Sequence, residues 1–358
     1  MRVLIICSSL ERGKDGVGDY SLKLGNWLAK KGMGVHILAF NDKYLAAAEK
    51  ATGQKTRYSS NLSISSRREK LQAKINEFQP DVLFLQYVPY GYHNKGIPLN
   101  LAKVLGSIKT NGNWFIMVHE PYIGGKLSVK EKIIQFGQKK AVKRIIENTS
   151  PSRVFTSTRK YEKALADINI VSSILPLFGN IQITGDKPAK SDESDSLLGI
   201  FFGAPPAREN YRNFKNGILK ASISKPLRIA FCGKTSSTEF AEYMSSSFKD
   251  SDLKIETLGE LGENELSQLF SNAEFGIARV GPELIGKSGS AISLLEHGLK
   301  LWIPLADSQQ EIEREIVFRP ELCFADLTHL LADDSRPEKI SNLDKVGELL
   351  QLQLNTAT

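Results

Sequence analysis

Short β-branched segments alternate with longer helical ones from the first residues of this chain onward. The apolar Val3–Cys7 precedes a helical stretch at Ser21–Lys31, and the apolar Val35–Ala39 follows it. A second helical stretch, Arg67–Phe78, then leads to the apolar segment Val82–Gln86. This alternation predicts parallel strands joined by crossover helices, because two parallel neighbours cannot be linked by a tight turn. We expect an open α/β sheet in residues 1–180.

The same alternation is interrupted once and then begins again. Residues 181–196 have no apolar periodicity and contain a run of Ser, Asp and Glu, which is typical of an interdomain linker. With 358 residues the chain has the length of two ordinary domains. We therefore predict a second Rossmann-like domain over residues 197–336. Its five strands are predicted at Leu198–Phe202, Arg228–Phe231, Lys254–Thr257, Phe275–Ala278 and Leu301–Pro304.

The last segment, residues 337–358, has the pattern of an amphipathic helix. Its apolar side chains recur at helical spacing at Ile340, Leu343, Val346, Leu349 and Leu350. Such a helix must bury its apolar stripe, and we expect it to pack at the seam between the two domains.

The charge of the chain indicates an anionic partner. The formal net charge is +7, which favours a phosphorylated substrate, a phospholipid surface or a nucleic acid. The sequence has no zinc-finger spacing, RNP-like strand or basic zipper region, so we expect no nucleic-acid partner. Three widely spaced cysteines indicate buried thiols and neither disulfides nor a metal site.

Apolar runs in this chain are short. None approaches the roughly 18 residues that a membrane-spanning helix needs. The apolar N-terminus leads directly into Glu11, Arg12 and Lys14, which is typical of a buried first strand rather than a signal peptide. We expect a cytoplasmic protein.

A glycine-rich segment follows the first predicted strand. Gly16 and Gly18 lie just before a helix that we expect to begin near Ser21, so their backbone amides are suited to approach an anion. The alternative is a flexible loop in which Asp19 caps the helix. The segment is a poor dinucleotide fingerprint, because a third glycine is missing and no acidic residue closes the second strand at Ala39-Phe40-Asn41.

Polar side chains are predicted at the carboxyl ends of two strands in the first domain, where open α/β sheets bind ligands. Gln86 ends one strand, and an aromatic loop, Tyr87–Tyr92, follows it. That loop is suited either to stack on a sugar ring or to cover the core. His119 and Glu120 end the next strand, which favours a functional histidine and leaves Glu120 as a general base or a loop-holding residue.

The second domain contains a phosphate-binding candidate, Lys287-Ser288-Gly289-Ser290, at the start of a predicted helix. Free amides, hydroxyl groups and one cation at such a position suit a phosphate. The glycine spacing excludes a Walker A motif. Arg208 and Lys234 follow other strands of this domain and are further candidate phosphate cations.

Three segments together resemble the family 4 glycosyltransferases of the GT-B fold. They are the glycine-rich opening, residues 13–38, the strand end around His119, residues 117–122, and residues 279–304, which include Glu296 to Pro304. The resemblance implies two Rossmann-like domains with a cleft between them. It further implies that the N-terminal domain lies on the acceptor side and that the C-terminal domain binds a nucleotide sugar.

The resemblance also implies roles for individual residues. Gly16 and Gly18 would face the donor phosphates, His119 would contact the donor sugar, and Glu296 would bind the nucleotide ribose. The family pattern has a second glutamate eight positions upstream of Glu296, where this chain has Ser288.

The function implied is transfer of a sugar from a nucleotide diphosphate sugar to a glycan or lipid-linked acceptor, in bacterial-type surface polysaccharide or glycoconjugate synthesis. We expect no cofactor and no metal, because no Asp-x-Asp motif stands at a strand end and Lys, Arg and helix N-termini can stabilise the leaving group. Ser288 leaves open a non-catalytic sugar-nucleotide or glycan-binding protein. A sugar-nucleotide epimerase would need acid and base carboxylates that the sequence does not supply.

A basic helical stretch over Lys126–Arg144 has two interpretations. Seven of its side chains are Lys or Arg beside an apolar stripe, which suits either a peripheral contact with the inner face of a membrane or a solvated basic face over an ordinary core.

Overall fold

Two separate sheets, one wholly parallel and one parallel except for a single pair of strands, organise the described part of the chain. The computed structural model describes residues 1–125, 127–184, 196–233, 239–335 and 337–356. Unit 1 comprises Met1–Leu175 and Leu343–Thr358, and unit 2 comprises Pro176–Asn342. The predicted α/β class with two Rossmann-like domains is confirmed. Most of the predicted linker, residues 185–195, lies outside the described residues, and the acceptor-side and donor-side roles of the two domains stay predictions.

Within the described residues, unit 1 contains an eight-stranded sheet with helices between its strands. In chain order its elements are β1 (Arg2–Cys7), α1 (Gly16–Lys30), β2 (Gly34–Asp42), β3 (Glu49–Thr52), β4 (Lys55–Ser59), α2 (Ile64–Phe78), β5 (Val82–Tyr87), α3 (Pro89–Tyr92), α4 (Leu99–Gly106), β6 (Asn113–Val118), α5 (Val129–Thr149), β7 (Arg153–Thr156), α6 (Arg159–Ala166) and β8 (Ser173–Ile174). The strand order is β3-β4-β2-β1-β5-β6-β7-β8. Every neighbouring pair is parallel except β3 and β4, which form an antiparallel hairpin.

The central strands of unit 1 are apolar along their whole length because helices cover both faces of the sheet. All six residues of β5 are buried, and five of the six in β1 are. The predictions for β1, β2 and β5 are confirmed. The hairpin of β3 and β4 was not predicted, since its polar residues show no apolar alternation and β3 is entirely exposed.

Unit 2 has a six-stranded parallel sheet within the described residues. Its elements are β9 (Leu197–Phe202), a 3-10 turn (Arg208–Asn210), α7 (Tyr211–Lys220), β10 (Leu227–Cys232), α8 (Glu239–Ser247), β11 (Leu253–Gly259), α9 (Glu263–Asn272), β12 (Phe275–Ile277), α10 (Pro282–Ile285), α11 (Gly289–Glu296), β13 (Lys300–Trp302), α12 (Gln309–Glu315), a second 3-10 turn (Pro320–Leu322), β14 (Cys323–Phe324) and α13 (Leu327–Ala332). The order is β11-β10-β9-β12-β13-β14, and the five predicted strands are confirmed.

Alternate residues of the unit 2 strands belong to two separate cores. Ile200 and Ala230 pack with α9 and α11 on one face. Phe201 and Phe231 pack with α7 and α8 on the other, their rings stacked at 5.0 Å between centroids. This two-sided burial fixes the register of β9 against β10 and so the positions of the loops that follow them.

The predicted C-terminal helix is confirmed as α14 (Asn342–Asn355), which begins five residues later than the predicted segment. From Leu343 onward it belongs to unit 1. The indole Nε1 of Trp27 donates to Asp344 Oδ1 at 2.7 Å, and Arg153 Nε donates to Gln353 Oε1 at 2.9 Å. These hydrogen bonds join the helix to α1 and to the start of β7. Val346 and Leu350 of the predicted apolar stripe are buried, whereas Ile340 and Leu349 are 46% and 38% exposed. The place of the helix at a domain seam stays a prediction.

The three cysteines are free and buried, as predicted. Burial raises the pKa of Cys232 to about 12 and raises the pKa of Cys7 and Cys323 further, so none forms a reactive thiolate at neutral pH. In the described parts of the chain, no helix combines the length and the apolar character needed to cross a membrane.

Candidate functional site

Two predicted site residues meet at the carboxyl edge of the unit 1 sheet. Gln86 lies at the end of β5, and His119 directly follows the neighbouring strand β6. The His119 Nε2 lies 2.9 Å from Gln86 Oε1, so the ring nitrogen donates and the amide oxygen accepts. The Tyr20 ring meets the imidazole edge-on at 5.1 Å between centroids. The structure thus brings together side chains that the sequence placed separately.

His119 is neutral in this setting. Burial lowers its pKa to about 3, because desolvation disfavours the charged form of the ring. With Nε2–H donating to Gln86, the Nδ1 of the neutral imidazole can accept a hydrogen bond from a sugar hydroxyl, but the ring supplies no positive charge at neutral pH. Glu120 follows as a half-buried residue, and its role as a general base stays a prediction.

In the described part of unit 1, several buried side-chain polar atoms have no hydrogen-bond partner. They include Gln86 Nε2, the Tyr87 hydroxyl and Ser157 Oγ. Since buried polar groups nearly always have a partner, the Gln86 amide nitrogen next to His119 marks a place where a ligand or bound water supplies one. Gln86 is therefore the strongest candidate for substrate contact in unit 1.

The glycine-rich segment differs from its prediction. Helix α1 begins at Gly16 and not near Ser21, because Asp15 rather than Asp19 caps it. The Asp15 carboxylate accepts from the amides of Val17 and Gly18 at 3.0 and 3.1 Å. A side chain at Gly18 would collide with the carbonyl oxygen of Ser9, so this glycine permits close packing of α1. The amide of Gly18 is already occupied, and contact of Gly16 and Gly18 with donor phosphates stays a prediction.

The second strand does end in an acid, contrary to the expectation. Strand β2 extends to Asp42, which is fully buried. Burial opposes its ionisation, but hydrogen bonds from Arg57, from the backbone amides of Leu10 and Tyr44 and from Ser9 hold its pKa below the usual value. Both carboxylate oxygens therefore have protein partners, and Asp42 serves as a structural anchor.

The aromatic loop mainly covers the core. Tyr87 and Tyr92 stack at 6.3 Å, and the Tyr92 hydroxyl donates to the Gln86 carbonyl at 3.1 Å. Tyr90 is exposed, and its hydroxyl accepts from Gln138. Of the two interpretations, packing accounts for Tyr87 and Tyr92.

In unit 2, two glycines follow neighbouring strands at the carboxyl edge of the sheet. Gly203 follows β9 with φ of +102°, and Gly233 follows β10 with φ of +115°. Residues other than glycine rarely adopt this backbone conformation. A Cβ added to Gly233 would lie 3.3 Å from Gly203 Cα, so the two backbones are in contact. Neither glycine is among the predicted site residues, although a glycine directly after each strand can be read from the sequence.

The N-terminus of α11 lies beside this glycine pair. Ser288 is the N-cap, and its hydroxyl accepts from the Ala291 amide at 3.3 Å, which confirms the predicted helix start. A Cβ on Gly203 would lie 3.5 Å from the side chain of Ser290. The left-handed turns and the helix N-terminus therefore form one backbone-lined surface with the positive end of a helix dipole.

Cations lie next to this surface. Lys287 directly precedes the N-cap Ser288 and is half-buried. Arg279, which was not predicted, follows β12 and is half-buried with no hydrogen bond or ion pair to the described residues; burial lowers its pKa. The predicted Arg208 is 80% exposed and pairs with Glu239 at 3.0 Å. The predicted Lys234 lies outside the described residues.

Glu296 occupies a structural position that the sequence did not predict. It is only 3% exposed. Its Oε2 accepts from the Gly179 amide at 3.0 Å and its Oε1 accepts from the Asn342 amide at 2.7 Å. Both oxygens are therefore engaged by the backbone of unit 2, and the ribose contact implied by the resemblance stays a prediction.

No group of three or more His, Cys, Asp or Glu residues able to hold a metal ion occurs in the described part of the chain.

Comparison with solved structures shows the class: the chain has the GT-B fold. It is similar to Anabaena Alr3699/HepE in complex with UDP and glucose, with a TM-score of 0.63, 10% identity and coverage of 99% of this chain and 100% of that one. It is also similar to a putative UDP-N-acetylglucosamine 2-epimerase from Listeria monocytogenes, with a TM-score of 0.56, 10% identity and coverage of 99% and 96%.

A third similar structure is the apo form of the lipopolysaccharide outer core galactosyltransferase WaaB, with a TM-score of 0.53, 12% identity and coverage of 87% and 83%. No protein-family model matches the chain, and no curated protein matches its sequence. At these identities the likeness establishes the fold and not the family.

Proposed function

We propose that this protein is a glycosyltransferase that moves a sugar from a nucleotide diphosphate sugar to an acceptor. The observation that carries the proposal is the anion-binding surface of unit 2, where Gly203, Gly233 and the N-terminus of α11 lie beside Arg279 and Lys287. The fold supports it, and HepE was crystallised with UDP and glucose. UDP is therefore the first nucleotide to test.

The arrangement suits stabilisation of a leaving nucleoside diphosphate. Negative charge grows on the diphosphate as its bond to the sugar breaks, and fixed amides and cations stabilise that charge without rearranging. Lys287 and Arg279 supply the charge, while the α11 amides supply directed donors. We propose that these cations and amides take the place of a metal ion in stabilising the leaving group. We also propose that His119 and Gln86 contact sugar hydroxyls.

The finer assignment follows the sequence resemblance to family 4. We propose a glycan or lipid-linked acceptor and a role in bacterial-type surface polysaccharide or glycoconjugate synthesis. The similarity of fold to WaaB, a lipopolysaccharide galactosyltransferase, agrees with this assignment.

Helix α5 supports a peripheral membrane contact at the cytoplasmic face. Its side chains Val129, Ile133 and Phe136 are 77%, 67% and 71% exposed, and their spacing places them on one side of the helix. Lysines flank this apolar ridge at positions 130, 132, 139, 140 and 143. Exposed apolar side chains among lysines suit the boundary of an anionic lipid surface.

The membrane contact is tested by sedimentation with vesicles containing phosphatidylglycerol. The variant I133S/F136S should lose most of the bound fraction, while V171S, which removes a 91% exposed apolar side chain elsewhere in unit 1, should bind like the wild type. Equal binding by all three proteins would remove α5 from the contact.

Calorimetry with UDP and uridine tests the donor site. Lys287→Ala should weaken UDP binding roughly tenfold to a hundredfold, since a charge-assisted contact contributes about 1.5–3 kcal/mol. Uridine binding should change little, and the exposed Lys254→Ala serves as the charge-matched control. Equal losses for UDP and uridine would count against a diphosphate contact.

A turnover assay separates the enzyme from a binding protein. Release of UDP from UDP-sugars in the presence and absence of EDTA should continue without metal. UDP binding without any turnover, with lipid-linked and glycan acceptors supplied, would instead favour a non-catalytic sugar-nucleotide-binding protein.

A further inference from the structure

A basic pocket lies in unit 1, beside the residues that follow β1. The cavity has a volume of about 300 Å³, near the lower end for small-molecule sites. Arg12 contributes from the β1 loop, and Lys50, Lys55 and Arg57 contribute from the hairpin of β3 and β4. Glu11 is the acidic residue in its lining.

The hairpin register explains why these cations face the same way. Lys50 is opposite Arg57, and Thr52 is opposite Lys55, so all four positions share one face of the two strands. The opposite face carries Glu49, which pairs with Lys70 at 2.6 Å, and the buried Tyr58. One face of the hairpin therefore contacts α2, and the cations on the other face line the pocket.

The charges of the pocket do not balance within the described residues. Arg57 is held by Asp42 and by Glu11, each at 2.7 Å, and this arrangement uses the acidic residue of the lining. Arg12, Lys50 and Lys55 have no ion pair in the described structure. Like charges on opposed strands cost stability, so the arrangement favours an anionic occupant.

We propose that this pocket binds a phosphate or diphosphate group of the acceptor. The assignment to the acceptor rests on the proposed function, in which the diphosphate of the donor binds to unit 2. Lysine ammonium groups bind phosphate as point charges, and three cations match a group with two or more negative charges. A volume of about 300 Å³ accommodates the phosphate together with part of one sugar ring or the first carbons of a lipid.

Titration of inorganic pyrophosphate into UDP-saturated protein tests the pocket, because UDP blocks the donor site. The wild type should bind one further pyrophosphate. The variant K50A/K55A should bind it at least about tenfold more weakly and keep its UDP affinity within about twofold. Neither lysine side chain makes a hydrogen bond in the described structure, so the variant should fold normally. K103A/K109A removes two charges elsewhere in unit 1 and is the matched control.

Three results would overturn the assignment. One is absence of a second pyrophosphate in the wild type, and another is an equal loss in both double variants, which would indicate general charge attraction. The third is a parallel loss of UDP and pyrophosphate in K50A/K55A, which would assign the pocket to the donor.

Failure of the proposed function gives a different result, because the wild type would then bind no UDP at all. Pyrophosphate titrated into UDP-free protein would still report on Lys50 and Lys55.

Two competitors identify the source of the phosphate. Displacement of pyrophosphate by farnesyl diphosphate indicates a lipid-linked acceptor, and displacement by glucose 6-phosphate indicates a soluble sugar phosphate. Displacement by neither would contradict the acceptor assignment.

Discussion

Replacing Glu296 by alanine should destabilise unit 2, and any loss of nucleotide binding should follow from that damage. The carboxylate accepts two backbone hydrogen bonds, from Gly179 at 3.0 Å and Asn342 at 2.7 Å, and it is 3% exposed. A hydrogen bond to a charged group contributes about 1.5–3 kcal/mol, so losing both should cost about 3–6 kcal/mol. That is a large part of the total stability of an ordinary domain, about 5–15 kcal/mol.

Urea unfolding followed by circular dichroism measures this loss. The exposed Glu260→Ala is the control and should change the free energy of unfolding by less than about 0.5 kcal/mol. Glu296→Gln should lie between the two, because its amide keeps one acceptor oxygen and turns an N–H donor towards another donor. The reasoning fails if Glu296→Ala unfolds like the wild type. If that variant also loses UDP affinity, the ribose contact implied by the family resemblance is the better account.

Three further predictions concern single residues. Above pH 6.5 His119 is neutral in both the folded and the unfolded chain, and as the pH falls towards the folded pKa of about 3 the unfolded chain binds the proton first. The free energy of unfolding should therefore fall by up to about 1.4 kcal/mol per pH unit. His119→Gln should reduce this slope when unfolding is measured at a series of pH values. The folded pKa of Asp42 lies below 3.8, so the carboxylate stabilises the fold above pH 3.8 and this stabilisation is lost as the pH falls through the folded pKa. Asp42→Asn should therefore have a lower free energy of unfolding than the wild type at pH 7, and the difference between the two should become smaller below pH 4. Gly203→Ala should cost about 1–3 kcal/mol of stability and weaken UDP binding, and calorimetry showing unchanged UDP affinity would separate this glycine from the site.

The sequence predicted the parts of the fold whose signal is local. Buried parallel strands such as β5 are unbroken apolar runs, and the start of α11 has a serine cap that can be read directly. The hairpin of β3 and β4 was not predicted, because exposed polar strands do not show the alternation of apolar and polar residues that marks a half-buried strand. The start of α1 was misplaced because two residues, Asp15 and Asp19, were both suitable caps and only the packing of Gly18 against Ser9 selects the first.

The candidate site was less predictable because its contacts are distant in sequence. Glu296 meets partners 117 and 46 residues away, which no local pattern reveals. Arg279 directly follows a strand of three residues and was not chosen as a candidate cation, because only its burial after β12 distinguishes it from other arginines. Gln86 and His119 were found because strand ends are general ligand positions, but their contact with each other required the order of β5 and β6.

The two hydrogen bonds of Glu296 also define unit 2 as an inserted domain. The chain enters this unit at Pro176 and leaves it at Asn342, and one carboxylate holds an amide near each of these points. The entry and the exit are therefore neighbours, which is the geometric condition for grafting a domain into a host chain. A fragment spanning residues 176–342 contains Glu296 together with both amides, so it keeps the two hydrogen bonds that hold its ends close together. Such a fragment can test the proposed donor role, because transplanting the whole unit into another protein should then change which nucleotide sugar is bound.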